Sequence, residues 1–187
     1  MTTSIKESRT TRLGSEDVPI ITRVWRTGER VPYKKTYQLR PGECWLDAEE
    51  TPNQNEYYVL TDDGIQIPVG VQIARDLLEE GATTALLVEM WGGVVLLDAS
   101  LYCIKCDGEV GQILARAKKA NGGSLGGFPD VVGIFPDGMI ALREAKYIGS
   151  KDQLSPNQHK MADALRREFG NKLDIKVVEW RSETNSI

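Results

Sequence analysis

Three ionisable residues lie close enough in the chain to belong to one functional site. Asp130 precedes one apolar run, and Glu144 and Lys146 lie near the end of the next. Two neighbouring carboxylates repel each other unless a cation lies between them. Carboxylate oxygens suit Mg²⁺ or Mn²⁺, which keep bound waters and accept a phosphate oxygen. A nearby lysine ammonium orients a water or offsets phosphate charge, so these residues predict metal-assisted chemistry on a phosphate group.

A β-hairpin is the element expected to position these side chains. The apolar runs 131–135 and 139–147 have the composition of strands, and Pro-Asp-Gly at 136–138 is typical of a turn between them. Glu144 and Lys146 are two residues apart, so their side chains point to the same face of the second strand. The hairpin therefore brings the ionisable groups to one end.

The register of this hairpin decides how the two carboxylates meet. With a two-residue loop at 137–138, Asp130 faces Ala145 and lies within one residue of the level of Glu144. A bend or bulge near Pro129 would then be needed to bring the carboxylates together. The backbone carbonyl of Ala145 is a candidate further metal ligand.

These residues resemble a known signature. Gly127-Phe128-Pro129-Asp130 followed by Glu144-Ala145-Lys146 matches the PD-(D/E)xK pattern of a nuclease superfamily. The next segment, Asp152-Gln153-Leu154-Ser155-Pro156-Asn157-Gln158, resembles the D-x-L-S-x-x-Q segment of its VRR-NUC branch. The resemblance covers roughly residues 109–180.

The resemblance implies a fold and a reaction. The fold would be mixed α/β, with a restriction-endonuclease-like core whose central mixed sheet is flanked by helices. The reaction would be Mg²⁺- or Mn²⁺-dependent hydrolysis of DNA by an endonuclease acting on duplex or branched substrates and leaving a 5′-phosphate. Asp130 and Glu144 would bind metal, Lys146 would be catalytic, and Gln158 would support the site from a helix. The alternative is a subunit that kept the fold for DNA binding or assembly and lost turnover.

Members of this superfamily usually carry one more acidic residue, on a helix before the P-D strand. Glu109, at the start of the helix predicted over 107–120, is the best match for that metal ligand. The linker from this helix to Pro129 is short for the superfamily. Glu89, on an earlier predicted hairpin, is the second candidate.

Basic residues that could bind a nucleic-acid backbone cluster at the end of the same helix. Arg116, Lys118 and Lys119 lie there, and Lys151 follows the catalytic hairpin. Cations in a last helical turn also offset the helix dipole, so both roles stay open for them.

The overall charge argues against a protein that binds nucleic acid by bulk electrostatics. The chain has 187 residues, a net charge of −4 and a pI of about 5.2. The first 100 residues carry 10 cationic and 16 acidic side chains, and the remainder carry 13 and 11. A polyanion is therefore expected to meet the C-terminal half.

The number of cysteines and the length of the apolar runs predict where the protein is located. Three cysteines are an odd number and predict a reduced, cytoplasmic setting. The chain holds no apolar run of the ~18 residues that a membrane span needs, so a soluble protein without a membrane partner is expected.

The pattern along the chain predicts two regions. Residues 1–66 form a β-rich region of unknown role, and residues 67–187 form the nuclease-like core with an additional hairpin. Residues 1–17 are polar and are expected to be frayed. Helices are predicted over 69–80, 107–120 and 155–169. Because the fold that the resemblance implies often needs two active sites for a double-strand cut, a homodimer is expected.

Overall fold

One mixed sheet of eight strands organises the part of the chain that the computed structural model describes. Those residues are 9–28, 31–32, 55–56, 58–90, 94–149 and 153–183. The strands are β1 (Thr10–Leu13), β2 (Glu16–Trp25), β3 (Val31–Pro32), β4 (Asn55–Glu56), β5 (Tyr58–Leu60), β6 (Gln66–Pro68), β7 (Thr84–Glu89), β8 (Val95–Leu97), β9 (Cys103–Ile104), β10 (Val131–Ile134), β11 (Ile140–Tyr147) and β12 (Leu173–Ser182). The helices are α1 (Val69–Glu79), α2 (Gly108–Ala120) and α3 (Pro156–Phe169), followed by a 3-10 turn at Gly170–Lys172.

The large sheet has the order β1-β2-β12-β11-β10-β7-β8-β9. β12 runs parallel to both β11 and β2, whereas the other neighbours are antiparallel. Parallel neighbours need a crossover of a dozen or more residues, and α3 supplies it between β11 and β12. The predicted mixed α/β class, with a central mixed sheet and flanking helices, is confirmed.

Helices cover both faces of this sheet. Alternation along β11 sends Ile140 and Leu142 into the core cluster shared with α2 and α3, and Ala141 into the cluster shared with α1. By the same alternation, Glu144 and Lys146 lie on the α2–α3 face. None of the helices in the described ranges is long and apolar enough to span a membrane.

The central hairpin pairs one residue away from the predicted register. Phe135 N donates to Met139 O at 2.9 Å, so the loop holds three residues, closed by a glycine with φ of +80°. The predicted pairing of Asp130 with Ala145 is therefore wrong, because the observed register continues to Asp130 opposite Glu144. Opposed residues of antiparallel strands share a face, so no bulge is needed to bring these carboxylates together.

The prediction of a frayed N-terminus is wrong for the described residues 9–17. β1 pairs with β2 as an antiparallel hairpin, and β2 pairs with β12 over six residues. This part of the predicted region 1–66 thus belongs to the same sheet as β10 and β11. β3–β4 and β5–β6 form separate two-stranded pairs, and residues 33–54 lie outside the described residues.

A buried arginine links β11 to β12. Arg143 is 2% exposed, and its guanidinium donates to the carbonyl oxygen of Asp174 at 2.9 Å and to Asp174 Oδ2 at 2.8 Å. Burial raises the pKa of Asp174, but Arg143 and Lys176 more than offset this and leave the pKa below its ordinary value of 3.8. The ion pair therefore stabilises the fold when Asp174 is ionised.

Asp174→Asn is expected to lower the free energy of unfolding by about 2 kcal/mol at neutral pH, because the buried Arg143 charge loses its anion. Since the folded-state pKa is depressed, the stabilisation is complete above the unfolded pKa and is lost as pH falls through the folded one. Urea unfolding should therefore show a smaller difference from wild type as pH decreases below 4. Asp62→Asn, at an exposed carboxylate, is the control. Equal stability of Asp174→Asn and wild type at pH 7 would contradict this role.

Candidate functional site

Hydrogen bonds to both neighbouring strands fix Asp130. Its carbonyl oxygen accepts from Val88 N of β7 at 2.7 Å. Its side-chain Oδ2 accepts from Ala145 N of β11 at 2.8 Å. The carboxylate therefore lies against the backbone of β11, opposite Glu144.

Glu144 is a buried carboxylate, 3% exposed. Lys146 Nζ lies 3.2 Å from Glu144 Oε1, and Gln158 Nε2 of α3 donates to the same oxygen. A buried charge is costly unless it is paired and hydrogen-bonded, and both partners are supplied here. The structure thus brings Asp130, Glu144, Lys146 and Gln158 together, although eight residues separate the end of β11 from the start of α3.

The start of α3 orients the Gln158 amide. Ser155 Oγ accepts from Gln158 N at 3.3 Å, and Gln158 Oε1 accepts from Ser155 N at 2.7 Å, which is a capping box. With its oxygen held at the helix start, the amide presents its NH₂ group to Glu144. The positive end of the helix dipole also favours a carboxylate at this place.

Gly127 lies where the loop carrying Asp130 meets α3. Its φ is +85°, and a Cβ at this position would collide with the backbone of Asn157 and Gln158. The missing side chain lets the loop lie directly against the first turn of α3. Gly127 therefore helps to set the separation of Asp130 from Gln158.

Gly127→Ala is expected to lower the free energy of unfolding by about 3 kcal/mol, because left-handed strain and a backbone clash add. Gly122→Ala is the matched control, with φ of +70° but open space around the added carbon, and should cost only about 1 kcal/mol. Urea unfolding measures both. A similar loss in the two variants would mean that the contact with α3 does not constrain residue 127.

The further acidic ligand predicted from the sequence is not gathered with the other two. Glu109 is exposed in the first turn of α2. Glu89 follows Val88, which lies opposite Asp130, so alternation turns Glu89 to the other face of the sheet. Within the ranges that the structure describes, no three His, Cys, Asp or Glu side chains form a group that could hold a metal. The described site therefore offers two carboxylates.

Of the four basic residues predicted to bind nucleic acid, the three that the structure describes are not among those lining a groove beside Lys146. Arg116 Nε bonds Glu168 Oε1 at 2.8 Å, and its guanidinium lies 4.5 Å from the centre of an aromatic ring of α3. Lys118 and Lys119 are exposed in the last turn of α2, where they offset the helix dipole. The fourth of these residues, Lys151, lies outside the described residues.

A groove of about 620 Å³ opens beside Lys146, and it is lined by residues that the sequence interpretation missed. Arg9 and Arg12 of the N-terminal hairpin are among them. His159 also lines the groove, and its Nδ1 accepts from Gly14 N at 2.9 Å. The available signal was the pair of arginines three residues apart, just before the strand that starts at Glu16.

Comparisons of the chain with protein-family models, with curated proteins and with solved structures find no match. The resemblance to PD-(D/E)xK nucleases therefore rests on the motifs themselves. It stays a prediction about function, whereas the clustering of Asp130, Glu144, Lys146 and Gln158 is a property of the fold.

Proposed function

We propose that this protein is a metal-dependent deoxyribonuclease of the PD-(D/E)xK type, resembling the VRR-NUC branch, that cuts duplex or branched DNA internally. One observation carries the proposal: Glu144, opposite Asp130, contacts both Lys146 and Gln158. The P-D, E-x-K and S-x-x-Q motifs thus meet in one cluster. The mixed sheet flanked by helices is compatible with a restriction-endonuclease-like core, which belongs to the same proposal.

The donor set fits a hard divalent cation. Asp130 and Glu144, with the Ala145 carbonyl, would hold Mg²⁺ or Mn²⁺. Two carboxylates leave the remaining positions to water and a phosphate oxygen, as Mg²⁺ prefers. When bound, the ion would stabilise charge on the phosphate and lower the pKa of a bound water.

Residues of the chain itself would donate hydrogen bonds to the reacting groups and position the metal ligands. Lys146, with 12% of its side chain exposed, borders the groove and donates either to the attacking water or to the phosphate. Gln158 acts as a positioning residue because it holds one oxygen of Glu144. The Ala145 N–H does the same for Asp130.

The proposal is tested by incubating the purified protein with plasmid and branched DNA in Mg²⁺ or Mn²⁺, with a chelator as control. Metal-dependent cleavage is expected. No cleavage of any DNA or RNA by the wild type would overturn the proposal. Sedimentation of the same sample tests the homodimer that a double-strand cut would require.

A further inference from the structure

His159, near the start of α3, contacts the N-terminal hairpin and also lines the groove beside Lys146. Its Nδ1 accepts from Gly14 N, in the turn between β1 and β2, at 2.9 Å. A ring nitrogen that accepts a hydrogen bond carries no proton. The ring is therefore neutral, and its one proton lies on Nε2.

The Nε2–H of His159 is an accessible donor. Within the described ranges it has no hydrogen-bond partner, and the buried side-chain polar atoms there that lack a partner belong to Asn121 and Arg166. Nε2 is thus not buried. Because Nδ1 faces the hairpin turn, the open edge of the ring is the one that borders the groove.

Anchoring the hairpin does not explain why a histidine occupies this position. Ser15 also bonds the turn to α3, because its N–H and its hydroxyl donate to Asp163 Oδ1 at 2.7 and 2.8 Å. Arg166 Nη1 of α3 donates to Leu13 O at 2.7 Å. A shorter polar side chain could accept from Gly14 N equally well, but it would add no donor on the far side of a rigid ring.

The charged side chains that share this face of the sheet favour an anionic acceptor. Leu13 and Val177 pack in the core cluster shared with α2 and α3. Arg9 lies four residues before Leu13, and Glu179 lies two residues after Val177, so alternation puts both on that face. Lys146 lies on it too. Two cations and one carboxylate thus border the groove there, and an N–H donor beside them suits a phosphate oxygen.

The groove lies beside the proposed metal ligands and not over them. Lys146 lines it, whereas neither Asp130 nor Glu144 does. A phosphate bound in the groove would therefore flank the phosphate that is cut. The volume of about 620 Å³ is within the usual range of roughly 300–1,000 Å³ for ligand sites.

We propose that His159 Nε2 donates a hydrogen bond to an oxygen of this flanking phosphate, an assignment that rests on the proposed nuclease function. His159 binds substrate in this role and transfers no proton. Its Nδ1 cannot take up a proton while Gly14 N–H points at it, so the ring is not a base. A neutral imidazole also holds its Nε2 proton too tightly to act as an acid.

Two substitutions separate the donor from the anchor, because each keeps the function of one ring nitrogen. The amide of an asparagine reaches the place of Nδ1 and can accept from Gly14 N, whereas the longer glutamine reaches the place of Nε2 and can donate there. His159→Asn should weaken binding of a short labelled duplex oligodeoxynucleotide, in chelator, about tenfold, the effect of one hydrogen bond to a charged acceptor. His159→Gln should recover most of this affinity and unfold at a lower temperature than His159→Asn.

The salt dependence of binding distinguishes a neutral donor from a cation. Above pH 7, His159→Asn should keep the wild-type slope of log K against log salt, because a neutral ring releases no counterion. Loss of a cation from a duplex phosphate would reduce that slope by about 0.9. Asn157→Ala removes an exposed polar side chain that does not line the groove, and should bind as wild type. Thermal unfolding checks that every variant is folded.

Wild-type affinity in His159→Asn, or an equal loss in His159→Asn and His159→Gln, would overturn the assignment. A reduced salt slope in His159→Asn would overturn the neutral donor. Failure of the nuclease proposal is distinguishable, because the wild type would then cut nothing in Mg²⁺, whatever it binds in chelator. If only the assignment of His159 fails, the wild type cuts, and His159→Asn binds and cuts as wild type.

Discussion

Asp130→Asn and Glu144→Gln should each reduce the rate of DNA cleavage about a thousandfold. Each substitution removes one of the two carboxylates proposed to hold Mg²⁺ and keeps the shape of the side chain. Metal-ion catalysis contributes several kcal/mol of charge stabilisation. A loss of about 4 kcal/mol corresponds to a factor of about 10³ in rate. Initial rates on plasmid DNA, with Mg²⁺ titrations of each variant, measure the effect.

Both substitutions should leave the fold intact. An Asn at 130 keeps an oxygen that can accept from Ala145 N, and a Gln at 144 keeps one for Gln158. Asp62→Asn is the control for an acid-to-amide change at an exposed position. Either site variant cutting at the rate of wild type would remove that carboxylate from the proposed mechanism.

A metal titration also separates the nuclease from its rival, a DNA-binding or assembly subunit without turnover. A nuclease should bind Mg²⁺ through Asp130 and Glu144, and each amide variant should weaken that binding. A subunit that lost turnover has no need of the ion. Wild-type affinity for Mg²⁺ in both amide variants would favour the rival.

The elements around the candidate site could be predicted because their signals are local. Ser155 and Pro156 predict the start of α3, and the structure has a capping box with Pro at the first helical position. The hairpin register was harder to predict than the start of α3, because Pro-Asp-Gly fits loops of two or three residues. The three-residue loop shifts Asp130 by one place, which puts it on the face of Glu144.

The N-terminal hairpin could not be predicted because its stability is not local. Residues 9–17 are polar, but their turn binds α3 through His159 and Asp163, more than 140 residues later. β2 lies beside β12, at a similar distance along the sequence. Local composition carries no information on such partners. The same limit explains why the sequence interpretation missed Arg9 and Arg12, which line the groove beside Lys146.

Gln158→Glu is expected to lower cleavage ten- to a hundredfold, the usual range for residues that orient metal ligands. Glutamate serves as well as glutamine in a capping box, so the bond to Ser155 N and the start of α3 should survive. The change replaces the N–H donor to Glu144 with a second carboxylate. The loss would therefore report on the contact with Glu144 and not on the helix.

Two controls distinguish loss of the contact with Glu144 from a general effect of adding a carboxylate. One is the pH dependence of cleavage, and the other is a variant with a new carboxylate at a neighbouring position. Asn157→Asp puts a carboxylate in the same exposed first turn, where the helix dipole favours it, and should cut as wild type. In Gln158→Glu, two carboxyl groups at hydrogen-bond distance share a proton more readily as pH falls, and the introduced group then becomes a donor. The deficit relative to wild type should thus narrow toward acid pH. A deficit that is independent of pH, or one that Asn157→Asp shares, would mean that Gln158 does not act through Glu144.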